Sequence, residues 1–189
     1  MWRSGERVSV DGVIGGQESK VPLRWETEAR RYVEMVLLVL ICGWGYFANL
    51  HLSLLEGSEG LYAGIAGEMG RRNEFFDLTY HGEPYFNKPP LFFWLLHWAT
   101  SLWGDQEIAL RIPGSLAAIG TVVLVYVLGT RLLSSTAGFW AALVVATSHV
   151  FLWYGRRVLF DSTLTFLVTL ALFAWVQVQI LGRSSRWYL

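Results

Sequence analysis

The sequence predicts an all-α, polytopic membrane protein, and three observations carry that reading. The 189 residues are 53% hydrophobic and 16% charged, with a mean hydropathy of +0.39, whereas about a quarter of an ordinary soluble domain is charged. Four stretches, 35–55, 112–130, 133–155 and 162–182, are long and apolar enough to cross a hydrocarbon core of about 30 Å as helices. Ten Trp, eight Tyr and eleven Phe stand among these few charges, as suits rings that settle at headgroup level. Fifteen Lys and Arg balance fifteen Asp and Glu, so there is no basic field for a nucleic acid to follow. The single cysteine, Cys42, excludes an internal disulfide framework and any CxxC metal knuckle.

The elements follow in order. Residues 1–31 are polar and carry a Gly-Gly pair, which reads as a cytoplasmic tail ahead of a membrane domain over 32–189. The stretch 35–55 starts too far into the chain for a signal peptide, and Leu54-Leu55-Glu56 is a poor cleavage site, so it is expected to stay as an anchor. An outer loop over 56–111 follows. In SEGLYAGIAGEMGRR, Leu61, Tyr62, Ile65 and Met69 recur at helical spacing, Ser58 can cap and Gly70 can close, giving a surface helix over about 59–69. Gly60, Gly64 and Gly67 each weaken that helix by about 1 kcal/mol against Ala, which points to close packing or close approach of a ligand. Gly82-Glu83-Pro84 reads as a turn.

The next apolar run, LFFWLLHWATSLW, would reach only about 20 Å as a helix. Its length and its three tryptophans favour an interfacial helix over about 90–103. Basic residues do not decide the matter. If the run lies in the interface, the inside holds Arg3, Arg7, Lys20, Arg24, Arg30, Arg31, Arg131, Arg183 and Arg186; if it spans, Arg111, Arg156 and Arg157 replace the last three and the total is unchanged. Length decides for four spans, with the N-terminus cytoplasmic and the short loop 156–161 on the same outer side as 56–111.

Chemistry-bearing residues gather in those two loops. Asp161 is the sole acidic residue after Glu107. It reads either as a helix cap or, with Arg156 and Arg157, as a charged rim where a polar headgroup docks. Glu59 sits in the first turn of the surface helix, a position the helix dipole favours by itself. Lys88 precedes Pro89-Pro90 at the start of the interfacial helix, and reads either as a snorkelling anchor or as the cation for a lipid phosphate.

The pieces Glu59-Gly-Leu-Tyr62-Ala63 with Glu68-Met69, Pro84-Tyr85-Phe86-Asn87-Lys88-Pro89-Pro90-Leu91 with Trp94, Ala109-Leu110-Arg111, and 155–161 occur in one order over about a hundred residues. Taken together they resemble the N-terminal part of the GT-C superfamily of polyprenyl-phosphate-sugar glycosyltransferases, which includes aminoarabinose transferases and protein O-mannosyltransferase-like bacterial enzymes. The resemblance implies a GT-C-like fold in the plasma (inner) membrane. It implies inverting transfer of a hexosyl or pentosyl unit from a polyprenyl-phosphate donor to a lipid, glycan or protein acceptor on the outer face. It makes Glu59 and Asp161 the catalytic candidates, with Lys88, Tyr62, Tyr85, Arg156 and Arg157 as substrate contacts. A divalent metal is left open, Glu59 and Asp161 being its only ligand candidates. The chain departs from the family pattern at Ser58-Glu59 in place of an acidic pair, at Asn87-Lys88-Pro89 in place of Glu-Lys-Pro, and at Leu61 in place of an arginine. Besides the donor and acceptor, membrane lipids are the expected partners, and no nucleic acid. A small non-enzymatic membrane subunit or transporter fragment is the alternative, using the same spans with Lys88 and Asp161 as anchor and cap. With few polar groups in the second half to surround a sugar, these 189 residues alone are expected to be an inactive portion of a longer polypeptide.

Overall fold

The computed structural model describes residues 24–48, 57–104, 107–179 and 182. Seven helices and one short hairpin make up the described chain: α1 (Arg24–Phe47), α2 (Ser58–Arg72), β1 (Thr79–Tyr80), β2 (Glu83–Pro84), α3 (Leu91–Trp103), α4 (Glu107–Leu132), α5 (Ser135–Thr147), α6 (His149–Gly155) and α7 (Phe160–Gln179). The all-α reading holds. Helices α4 and α7 are each long and apolar enough to cross a membrane, and α5 with α6, bent by 65° at Ser148, makes a third crossing if the pair is one span. The first expected span is helical as far as Phe47, and residues 49–55 lie outside the described residues.

Helix α4 is the hub, packed against α1, α3, α5, α6 and α7. Its closest crossing is with α5, where a Cβ added to Gly138 would lie 2.6 Å from the Thr130 amide nitrogen and 2.7 Å from the Tyr126 carbonyl oxygen. Small residues let two helix backbones approach in a setting where lipid supplies little hydrophobic drive for association. Backbone atoms cannot yield as a flexible side chain can. Gly138→Ala is therefore expected to lower stability by about 1–3 kcal/mol, read as a loss of unfolding midpoint in detergent; an unchanged midpoint would show that the crossing is loose.

Two polar clusters fix which helix ends lie together. At one end, the Glu34 carboxylate of α1 accepts from Arg30 Nε at 2.8 Å, from the Tyr126 hydroxyl of α4 at 3.1 Å, and from Ser135 Oγ of α5. Arg30 Nη2 also donates to Thr136 Oγ1 at 3.0 Å. At the other end, Arg156 Nη2 donates to the Ala48 carbonyl just past α1 at 2.6 Å, and Ser115 Oγ of α4 donates to the Gly155 carbonyl at 2.9 Å. The end of α1, the start of α4 and the loop from α6 to α7 thus share one end of the bundle. We expect single cysteines at Ser58→Cys and Arg156→Cys, in a Cys42→Ala background, to react with an impermeant thiol reagent from the same side of sealed vesicles. Arg31→Cys should react from the other side, and labelling of Ser58→Cys and Arg156→Cys from opposite sides would overturn this arrangement.

The surface helix differs in detail from its sequence reading. Helix α2 runs through Gly70 to Arg72 and stops at Asn73, whose left-handed φ of 55° closes it. Ser58 makes no capping bond, and Gly57 holds the cap position. The following turn centres on His81-Gly82, both at positive φ (53° and 80°), with Tyr80 paired to Glu83 and Thr79 to Pro84. Two positive φ values are what a two-residue hairpin needs. Glu68 of α2 secures it, accepting from Thr79 Oγ1 at 2.9 Å and from the His81 amide at 2.7 Å. Chiefly because of the Thr79 hydroxyl, the Glu68 carboxyl is held below its ordinary value of 4.5. A depressed folded pKa gives stability that is complete above the unfolded value and lost as pH falls through the folded one. Amide exchange at His81, corrected for intrinsic rate, should therefore accelerate as pH drops below about 4.5, and Glu68→Gln should remove that pH dependence.

Candidate functional site

The end of the bundle that gathers α2, the start of α4 and the 156–159 loop also gathers nearly all the residues that the sequence singled out. Glu59 is 1% exposed. Its Oε1 accepts the Val158 amide at 2.8 Å and lies 3.8 Å from Arg111 Nε, while Oε2 lies 3.5 Å from Arg157 Nη1. Arg111 is equally buried, and Arg157 is a quarter exposed with its guanidinium 4.3 Å from the Trp153 ring centre. One carboxylate therefore ties the first loop to α4 and to the approach to α7. Close contact reinforces the tie, since a Cβ on Gly114 would sit 3.2 Å from the Arg157 carbonyl oxygen.

Beside this junction lies an aromatic cluster. Tyr62 is buried edge-on to Phe92, Phe93 and Phe160, with ring centres 6.0, 5.8 and 6.4 Å apart, and Tyr85 meets Phe93 at 6.0 Å. Burial pushes the Tyr62 phenol up from its ordinary value, with Tyr85 and Asp161 adding to the shift, and burial does the same to Tyr85. Lys88 Nζ lies 3.8 Å above the centre of the Phe160 ring, immediately before Asp161 in the chain. The prolines after Lys88 act as read: Pro90 is the N-cap of α3, and its carbonyl accepts the Trp94 amide at 3.0 Å. Asp161 is half-buried in the first turn of α7. With Ser162, Thr165, Tyr154 and Ser148 it lines a cavity of about 560 Å³, whose other wall is apolar residues of α5 and α6 such as Val144 and Phe151.

The structure thus brings Tyr62 and Lys88 onto Phe160, with Tyr85 reached through Phe93 and Asp161 next to Phe160 in the chain. Glu59 is a junction residue with two arginines against it, and Arg156 is engaged with the end of α1. The donor set does not suit a cation at Glu59, because one oxygen accepts a backbone N–H and both face guanidinium groups. Among the described residues no three His, Cys, Asp or Glu side chains are grouped as a metal would require. Sequence reasoning did not assign Arg111 a role, although its Ala109-Leu110-Arg111 motif was part of the resemblance. It also passed over Phe160, the ring on which the cluster turns.

Residues 87–189 match the dolichyl-phosphate-mannose-protein mannosyltransferase family. The chain belongs to that family. The match includes Lys88, Arg156, Arg157 and Asp161 of the site, and the GT-C resemblance carried by the motifs holds. An undecaprenyl phosphate-alpha-4-amino-4-deoxy-L-arabinose arabinosyl transferase of Edwardsiella ictaluri is 30% identical over 120 residues, 63% of this chain and 22% of that protein. An uncharacterized protein of Aquifex aeolicus is 29% identical over 150 residues, 78% of this chain and 30% of that one. In fold, the chain resembles ArnT from Cupriavidus metallidurans in its apo state, with a TM-score of 0.69 and 18% identity over 82% of this chain and 28% of that one. This member of the mannosyltransferase family therefore spans less than a third of the length of these relatives.

Proposed function

We propose that the protein is an inverting membrane glycosyltransferase, moving a hexosyl or pentosyl unit from a polyprenyl-phosphate donor to a lipid, glycan or protein acceptor at the outer face of the inner membrane, with its N-terminus cytoplasmic. The observation that supports the reading is Lys88 Nζ held 3.8 Å over the ring of Phe160, the residue that precedes Asp161 at the start of α7, in a chain of this family. Breaking a glycosyl phosphate places negative charge on the departing phosphate and cationic character on the sugar. A fixed ammonium stabilises the first. The acceptor oxygen attacks the anomeric carbon from the face opposite the phosphate, and its proton passes to a carboxylate. We assign the ammonium to Lys88 and the carboxylate to Asp161, whose cavity offers an apolar wall and several hydroxyls to an acceptor. Tyr62 and Tyr85 close the site around the donor. Glu59, engaged as it is with Arg111, Arg157 and the Val158 amide, acts in this proposal as a positioning residue. The non-enzymatic alternative is not favoured by the family membership.

Sugar transfer from a polyprenyl-phosphate donor by the full-length protein carrying this sequence tests the assignment. Asp161→Asn is expected to lower kcat by about 10²- to 10⁴-fold, the usual contribution of a general base. Glu59→Gln, which keeps a carbonyl oxygen for the Val158 amide, should lower it by no more than about tenfold. The reverse ranking would assign the base to Glu59 instead, and full activity in a Glu59→Ala, Lys88→Ala double variant would remove the assignment of the site to these residues.

A further inference from the structure

A second polar cavity lies away from the Lys88 cluster, between α2, α3 and the start of α4. Its volume is about 660 Å³, and Gly67, Gly70, Arg71, His97, Thr100 and Ser101 supply its character. The small residues of α2 make the space. A Cβ on Gly70 would fall 2.8 Å from the His97 ring, and one on Gly67 would fall 3.4 Å from an Arg71 guanidinium nitrogen, so both side chains lie over glycines. Arg71 makes no ion pair among the described residues, while its neighbour Arg72 is held by Glu74 at 2.9 Å and by Thr79 at 3.0 Å. The His97 ring meets Phe75 edge-on, at 5.6 Å, and no hydrogen bond holds its nitrogens among the described residues. Thr100 and Ser101 hydroxyls rest on the His97 carbonyl at 3.0 and 2.8 Å, bonds they can exchange for a ligand oxygen. None of the described lining residues is acidic.

From these groups we propose a phosphate-binding site in the α2–α3 cavity, distinct from the Lys88 cluster and independent of the glycosyl-transfer reading. A guanidinium fork, an imidazole and two hydroxyls offer more hydrogen-bonding directions than a planar carboxylate uses, and match a tetrahedral oxyanion. Trp98, Leu102 and Trp103, exposed on the same helix, suit headgroup depth, so the phosphate is that of a lipid or of a small solute carried there.

The test is calorimetric titration of the full chain in a neutral maltoside detergent with inorganic phosphate, with dioctanoyl phosphatidic acid, and with dioctanoylglycerol, which lacks the phosphate. The expected result is saturable binding of phosphatidic acid and none of dioctanoylglycerol. Arg71→Ala should weaken it at least tenfold, Gly67→Leu, which fills the cavity, should abolish it, and in Lys88→Ala the Arg71-dependent binding should persist. Inorganic phosphate binding with the same variant dependence assigns the site to phosphate at large, and its failure to bind assigns it to the lipid headgroup. Equal binding in wild type and Arg71→Ala, loss on Lys88→Ala alone, or equal binding of dioctanoylglycerol overturns the proposal. Arg71 is exposed, so its variant tests the site even if Gly67→Leu fails to fold.

Discussion

Replacing Glu59 with alanine is expected to destabilise the fold by about 3–5 kcal/mol, the usual cost of removing one partner from a buried ion pair. Glu59 and Arg111 are each 1% exposed, so the loss of the carboxylate leaves a guanidinium in the interior with no water to replace it. The Val158 amide loses its acceptor in the same step, and an orphaned buried donor adds to the penalty. Arg157 changes less, because it is a quarter exposed and keeps its contact with Trp153. A double variant, Glu59→Leu with Arg111→Met, should recover most of the loss, since well-packed apolar residues can replace a buried pair at little net cost. Denaturant unfolding of the full chain in detergent, followed by the near-ultraviolet signal of its tryptophans, reads both. A Glu59→Ala loss under about 1 kcal/mol, or a double variant as poor as the single one, would show that the junction is not held by this charge pair.

This end of the molecule was partly legible because its residues sit in short motifs, and partly not because its contacts are long-range. Lys88 and Asp161 could be singled out by type: one is a lysine ahead of two prolines, the other the last acidic residue of the chain. That Phe160 joins them follows from packing of α7 against the first loop, which no local pattern encodes. Glu59 could be found, and its burial could not, since the two arginines facing it come from 52 and 98 residues further on (111 − 59 and 157 − 59). Helix α2 was clear from apolar periodicity, and α3 from the length of its apolar run. The bend at Ser148 was not, because Thr147-Ser148-His149 contains neither proline nor glycine and the apolar run resumes at once on both sides. Glu34 escaped notice for a related reason. It stands one residue before the first expected span, while its partners Tyr126 and Ser135 lie at the far end of α4 and the start of α5. A buried carboxylate in such a place is recognised only once its donors are in view.

Lys88→Ala is expected to lower kcat by about 10²- to 10³-fold, the range found when one preorganised contact to developing negative charge is removed. An exposed lysine before two prolines would sample many rotamers, but this one is half-buried and lies 3.8 Å over the ring of Phe160, the residue that precedes Asp161. The ring face attracts the ammonium without neutralising it, so the charge remains available to a phosphate that arrives at the same place. Removal of the platform should therefore be milder than removal of the cation: Phe160→Leu keeps the apolar contact with Tyr62 and frees the lysine, for an expected loss of about 5- to 30-fold, chiefly as a rise in KM for the donor. Lys88→Arg retains the charge on a longer, planar head and should fall between the two. Steady-state transfer measured across these three variants of the full-length protein, with thermal midpoints to confirm that each is folded, separates the roles. If Lys88→Ala loses less than Phe160→Leu, the lysine is an anchor at the membrane surface and the phosphate is held elsewhere.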